Sequence, residues 1–97
     1  MDVEFRDQNL ALVETSEAHK TKLPVSVINS LRDKLVVIRA APDERVLRRW
    51  KSLHYEKLSG RSDERSIRLN EKWRLIVTVD ATIVPNKLII LGVEDYH

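Results

Sequence analysis

The spacing of apolar residues changes period near Trp50, and that change limits the fold more than any other feature of the chain. Before it, Ile28, Leu31, Leu35 and Ile38 recur at three- and four-residue intervals, the repeat of one face of an α-helix. After it, Ile67 and Leu69, and then Trp73, Leu75 and Val77, alternate with other residues, the repeat of strands with one buried face. Helical segments followed by strands indicate an α+β domain with a mainly antiparallel sheet rather than alternating βαβ units. A length of 97 residues leaves room for one such domain.

Local signals divide the chain further. Residues 2–6 read as a short first strand, and Asp7 as the cap of a helix reaching about Glu17. Lys20-Thr21-Lys22 interrupts it, and Pro24 suits the first turn of a second helix that runs to about Ala41. Pro42 stops that helix, and Asp43 caps one more turn through Leu47. The two longer helices are expected to form an antiparallel pair covering the sheet. Strands are expected at 53–58, 65–69, 73–79 and 87–96, with Ser59-Gly60 and Val84-Pro85-Asn86 in turns.

The register of one hairpin is legible on paper. With Asn70-Glu71-Lys72 as the loop, Leu69 opposes Trp73, Ile67 opposes Leu75, and Arg68 opposes Arg74. One face is then Ile67, Leu69, Trp73, Leu75 and Val77, and the other carries Ser66, Arg68, Arg74 and Ile76. A shorter loop would place Arg68 among the apolar residues, so the longer one is preferred. It sets two arginines against each other, a repulsion that a bound anion such as phosphate would offset. The alternative is a structural carboxylate on the neighbouring strand, Glu94 or Asp95.

Charge adds to this picture. Between Arg45 and Arg74 there are ten basic and four acidic residues, a balance of +6, whereas the remainder of the chain carries −4. Such a block fits a polyanion partner, or else a solvated charged face. The absence of cysteine excludes disulfides, thiolate nucleophiles and cysteine-held zinc. His19, His54 and His97 lack ligand-like spacing, so no metal or other cofactor is expected. Residues 1–7 are too charged to begin a secretion signal, and no apolar run would cross a membrane. A cytoplasmic setting without a membrane partner is the corresponding expectation.

The last residues, Asp95-Tyr96-His97, follow the apolar run 88–93. Strand alternation puts Asp95 and His97 on one face and Tyr96 on the other. A carboxylate, a phenol and an imidazole suit proton transfer, although three polar residues also describe a solvated tail. His19 reads as a solvated loop residue, and Trp50 and Trp73 read as core.

Four fragments now stand in order: Leu53-His54 with Lys57-Leu58 and Gly60; Ser66-Ile67-Arg68-Leu69-Asn70; Trp73-Arg74; and Asp95-Tyr96-His97. Together they resemble HigB toxins of the RelE/ParE superfamily. The resemblance implies a RelE-like fold, with an N-terminal strand and a two-helix hairpin packed on a mainly antiparallel twisted sheet. It implies a type II toxin that cuts mRNA on the ribosome, with His54, Asp95, Tyr96 and His97 as the chemical group. Lys57, Arg68 and Arg74 would bind RNA phosphate, with Arg61 and Lys51 of the basic block beside them. Its implied partners are a HigA-like helix-turn-helix antitoxin, the ribosome and mRNA, with DNA reached only through the antitoxin. Acidic Glu14, Glu17 and Asp33 offer that antitoxin a dock away from the basic face. Arg65 departs from the aromatic residue usual before Ser-Ile-Arg, and residues 80–87 form a long final turn. A gyrase-inhibiting ParE-like toxin and a non-catalytic RNA- or protein-binding module on the same fold are the rival readings.

Overall fold

The computed structural model describes residues 1–61 and 63–95. Five strands form one sheet: β1 (Asp2–Phe5), β2 (Glu56–Lys57), β3 (Arg65–Arg68), β4 (Trp73–Asp80) and β5 (Lys87–Asp95). Their order is β1-β5-β4-β3-β2, antiparallel except where β1 lies parallel to β5. Two α-helices, α1 (Val25–Ala40) and α2 (Glu44–Arg49), precede β2. The architecture is α+β, as the change of period implies.

Helix α1 buries Val27, Ile28, Leu31, Leu35 and Ile38. These meet Ile67, Leu69, Leu75, Val77, Leu88 and Ile90 from the sheet in one core. Burying each large aliphatic side chain stabilises by about 1.5–3 kcal/mol, so this layer holds the sheet flat against the helix. Asp43 caps α2 by accepting from the Arg45 backbone N–H at 2.9 Å.

Residues 7–17 depart from the expected helix. Leu10–Glu14 and Ala18–Thr21 are two separate 3-10 turns. Thr15 interrupts them, because its hydroxyl donates to the Leu12 carbonyl at 2.8 Å and accepts from Glu17 N–H at 3.0 Å. Such local bonds compete with helix propagation. The turns still bury Leu10, Val13 and Ala18, and they are tied to α1 by Arg32 donating to the Val13 and Thr15 carbonyls. The Arg39–Glu14 ion pair adds to this and holds the Glu14 carboxyl below its usual range, chiefly through the hydrogen bond. In place of the expected antiparallel helix pair there is one long helix with two short 3-10 turns beside it.

The expected strand 53–58 is also shorter. Lys51–Leu53 forms a 3-10 turn, and only Glu56–Lys57 pairs with β3. His54 turns the chain between them in the left-handed region, with φ 47° and ψ 52°.

The β3–β4 hairpin has the register that segregation of apolar and charged residues requires. Ile67 faces Leu75 and Arg68 faces Arg74. Leu69 N–H donates to the Trp73 carbonyl at 3.0 Å, closing the turn. Inside it, Asn70 Oδ1 accepts from the backbone N–H groups of Lys72 and Trp73, both at 2.9 Å. A side chain thus occupies the place of a backbone acceptor, as Asn does in turns. Ser30 Oγ on α1 donates to the Leu69 carbonyl at 2.6 Å and fastens the hairpin to the helix.

Pairing of β4 with β5 contains one irregularity. Ile76 faces Gly92 but Val77 faces Ile90, leaving Leu91 unpaired. This bulge reverses the alternation along the rest of β5. Val93 joins the core side opposite Leu75, Asp95 follows on that side opposite Trp73, and Glu94 turns to the side of Arg74.

Removing the Asn70 side chain should free the hairpin turn. Asn70→Ala is expected to lower stability by about 1 kcal/mol, read from the midpoint of urea unfolding. An unchanged midpoint would show that the register holds without that side chain.

Candidate functional site

The sheet face opposite the helices carries Arg68, Arg74 and Glu94 in a row across β3, β4 and β5. The next row is Ser66, Ile76 and Gly92. Ser66 and Ile76 are buried, at 4% and 2% exposure, so this face has a closed floor.

The arginines of the row are used differently. Arg74 Nη1 donates to the Asn70 carbonyl at 2.6 Å and the Trp73 carbonyl at 3.1 Å, which lays its guanidinium along the hairpin turn. Arg68 is half-buried, and it has no hydrogen bond or ion pair among the described residues. Arg61 reaches the same row from the loop between β2 and β3. Its Nη1 and Nη2 donate to the two Glu94 carboxylate oxygens at 2.8 and 3.2 Å. Glu64 lies 3.8 Å from Arg61 as a weaker neighbour. Of the two carboxylates proposed to offset the Arg68–Arg74 repulsion, Glu94 stands on the right face, and its oxygens are held by Arg61.

The other residues expected at the site are spread around this row. Asp95 is exposed, and the Leu91 bulge places it on the Trp73 side rather than beside Arg68 and Arg74. Tyr96 and His97 lie outside the described residues. Strand β1 pairs with β5 only as far as Ile90, so among the described residues β4 is the one strand paired with the end of β5 that carries Asp95. His54 is exposed at the β2 edge, with β3 and β4 between its segment and β5. Its imidazole has no hydrogen-bond partner among the described residues. Lys51 is exposed in the preceding turn, and its carbonyl accepts the His54 backbone N–H at 3.1 Å. Lys57 lines a shallow groove of ≈ 370 Å³ with Leu58, Gly60 and Arg61. The structure therefore joins Arg61, Arg68 and Arg74 around one face, places Asp95 on the opposite side of β5, and holds His54 in the turn before β2.

His54 is held in place from the next residue. The Tyr55 hydroxyl donates to Glu44 Oε2 at 2.6 Å, tying the segment to α2. Burial, and then this hydrogen bond, push the Tyr55 phenol above its usual range, so it remains a donor at any physiological pH. Sequence reasoning did not find this anchor, because the Glu44–Tyr55 spacing of eleven residues matches no local pattern. It also passed over Asn70 as the turn's internal acceptor, although Asn opening a hairpin loop is a signal for such a bond.

Trp73 packs on the core as expected, but Trp50 is 46% exposed. His19 is exposed in its short turn. Of the acidic residues offered as a docking surface, Glu14 is bound by Arg39 and Glu17 by Lys20 at 3.2 Å. Among the described residues there is no group of three His, Cys, Asp or Glu side chains placed to hold a metal ion, and no helix long and apolar enough to cross a membrane.

No curated protein matches the chain. Among solved structures it is similar to a YoeB/ParE toxin from Agrobacterium tumefaciens, with a TM-score of 0.60, 13% identity and 100% of each chain covered. At that identity the likeness speaks for the fold. The family model of the RelE-like toxin of the type II toxin–antitoxin system HigB matches residues 3–97, a span that takes in both helices and the whole sheet from Val3 onward. The chain thus belongs to the HigB-like family of RelE-type toxins, the toxin component of type II toxin–antitoxin systems.

Proposed function

We propose that this toxin is an endoribonuclease that cuts mRNA on the ribosome, by attack of a ribose 2′-hydroxyl on the adjacent phosphate. The observation that carries the proposal is the Arg68–Arg74 pair on the helix-free face, with the Arg68 guanidinium unpartnered among the described residues. Two like charges held face to face by backbone pairing gain from an anion between or beside them. A phosphodiester supplies that anion, and its oxygens match the guanidinium fork.

The chemistry follows from the substrate. As the 2′-oxygen bonds to phosphorus and the bond to the 5′-oxygen breaks, charge grows on the phosphoryl oxygens. Arg68 and Arg74 stabilise that charge. Asp95 or His97 removes the 2′-hydroxyl proton, and a proton delivered to the departing 5′-oxygen completes the cleavage. The products are a 2′,3′-cyclic phosphate and a 5′-hydroxyl, so the reaction balances with no other reactant. Tyr96 stacks on a base beside the reacting ribose. His54, at the far edge of the row, meets the same RNA strand as proton donor or phosphate contact. Lys51, Lys57 and Arg61 extend the cationic path along the backbone.

Among the described residues only β4 pairs with the end of β5, and in the proposed complex the ribose lies at that end, next to Asp95. An RNA strand crossing from β2 to β5 passes His54, Arg68 and Arg74 before it reaches that end. In the same proposal the cognate antitoxin is HigA-like and binds DNA through a helix-turn-helix, and the toxin acts in the cytoplasm.

His97→Ala should leave a folded protein that neither arrests growth nor cuts mRNA, as mapped by primer extension after brief induction. Continued cutting would remove His97 from the chemistry. DNA damage with intact mRNA would instead favour a gyrase-inhibiting toxin on this fold. Arg68→Ala should weaken binding of single-stranded RNA and flatten the dependence of log K on log salt by about 0.7, the contribution of one phosphate contact. An unchanged slope would place the phosphate elsewhere.

A further inference from the structure

Among the described residues Glu94 is the one carboxylate in the arginine row, and it arrives there only because Leu91 is left out of the strand pairing. Its two oxygens face the two terminal nitrogens of Arg61 at 2.8 and 3.2 Å, the fork geometry that a phosphate would also satisfy. We infer that Glu94 is an internal stand-in for a substrate phosphate: in the free toxin its carboxylate holds the Arg61 fork, and RNA binds by taking its place there. The inference rests on the ribonuclease reading above and adds a residue that sets which anions the face accepts.

Three features support the exchange. The pair is open to solvent, with side-chain exposures of 43% for Arg61 and 40% for Glu94, so an incoming phosphate can reach it. An ion pair this exposed contributes little to stability, so parting it costs little. Glu94 also lies opposite Arg74 in the sheet, so a cation remains beside it after Arg61 turns to the phosphate. A lone anion must displace Glu94 for the return of one contact. An RNA strand also gains Arg68 and Arg74 from its neighbouring phosphates, so the carboxylate biases the face toward polyphosphate chains.

The test measures binding of a short single-stranded 2′-O-methyl RNA, which presents phosphates but cannot be cut, by fluorescence anisotropy over a range of salt. Glu94→Gln keeps the side chain's size and removes its charge, and thermal unfolding confirms that the variant is folded. It should bind about two- to fivefold more tightly than the wild type at low salt, the worth of an exposed ion pair. The dependence of log K on log salt should steepen, because the wild type's displaced carboxylate takes up a salt cation and the variant's amide does not. In an Arg61→Ala background the same substitution should change neither quantity. Unimproved binding by Glu94→Gln, while the wild type binds and cuts RNA, would overturn the inference alone. A full gain that persists without Arg61 would also overturn it, because Glu94 would then act by general repulsion. A wild type that binds no RNA would overturn both the inference and the ribonuclease reading.

Discussion

The opposition of Arg68 to Arg74 depends on a backbone decision made one turn away. Asn70 accepts two N–H groups within the hairpin loop, and the loop length fixes which residues meet across β3 and β4. A slip of one residue in that pairing would send Arg68 into the core against Leu75 and Val77, so burial and turn chemistry enforce the same register. Ser30 adds a tether from α1 to the Leu69 carbonyl. Arg68 and Arg74 therefore stand on paired strands tethered to α1, which suits the proposed role of positioning phosphates.

The bulge at Leu91 is the second constraint. It lets β5 keep Leu88 and Ile90 in the core at one end and Val93 in the core at the other, although these positions differ in parity. The same device exchanges the places of two neighbouring carboxylates. Without it Asp95 would follow Ile89 onto the arginine face, and Glu94 would face the core side. With it Glu94 joins the arginines and Asp95 goes to the open end of β5. Bulges at strand ends often re-aim side chains in this way.

Much of this was legible in the sequence, because burial leaves a periodic trace. The stripe Ile28, Leu31, Leu35 and Ile38 gave α1, and the separation of Ile67, Leu69, Leu75 and Val77 from Arg68 and Arg74 gave the hairpin register. Short segments were harder to read. Leu10 and Val13 have helical spacing, but Thr15 diverts the backbone into 3-10 turns through bonds that a hydrophobic pattern does not record. Leu53 to Leu58 alternates like a strand, yet His54 adopts a left-handed conformation and breaks it. The bulge left one signal that went unread, Gly92 inside the strand pattern, because Leu91 itself is as apolar as Ile90. For that reason the arginine row of the site was foreseeable and the face taken by Asp95 was not. Arg61 was expected beside Arg68 and Arg74, but its Glu94 partner was not foreseen, because 33 residues separate them in the chain.

In the proposed reaction RNA lies over the arginine row and supplies its own nucleophile there. The most direct measurement replaces the ribose at one mapped cleavage position with 2′-deoxyribose in an mRNA programmed on ribosomes, and follows cutting at that bond. The account predicts that cleavage stops there and continues at unmodified positions, leaving 2′,3′-cyclic phosphate ends. Equal cutting of the deoxy-substituted bond would contradict it, because water or a protein group would then be the nucleophile.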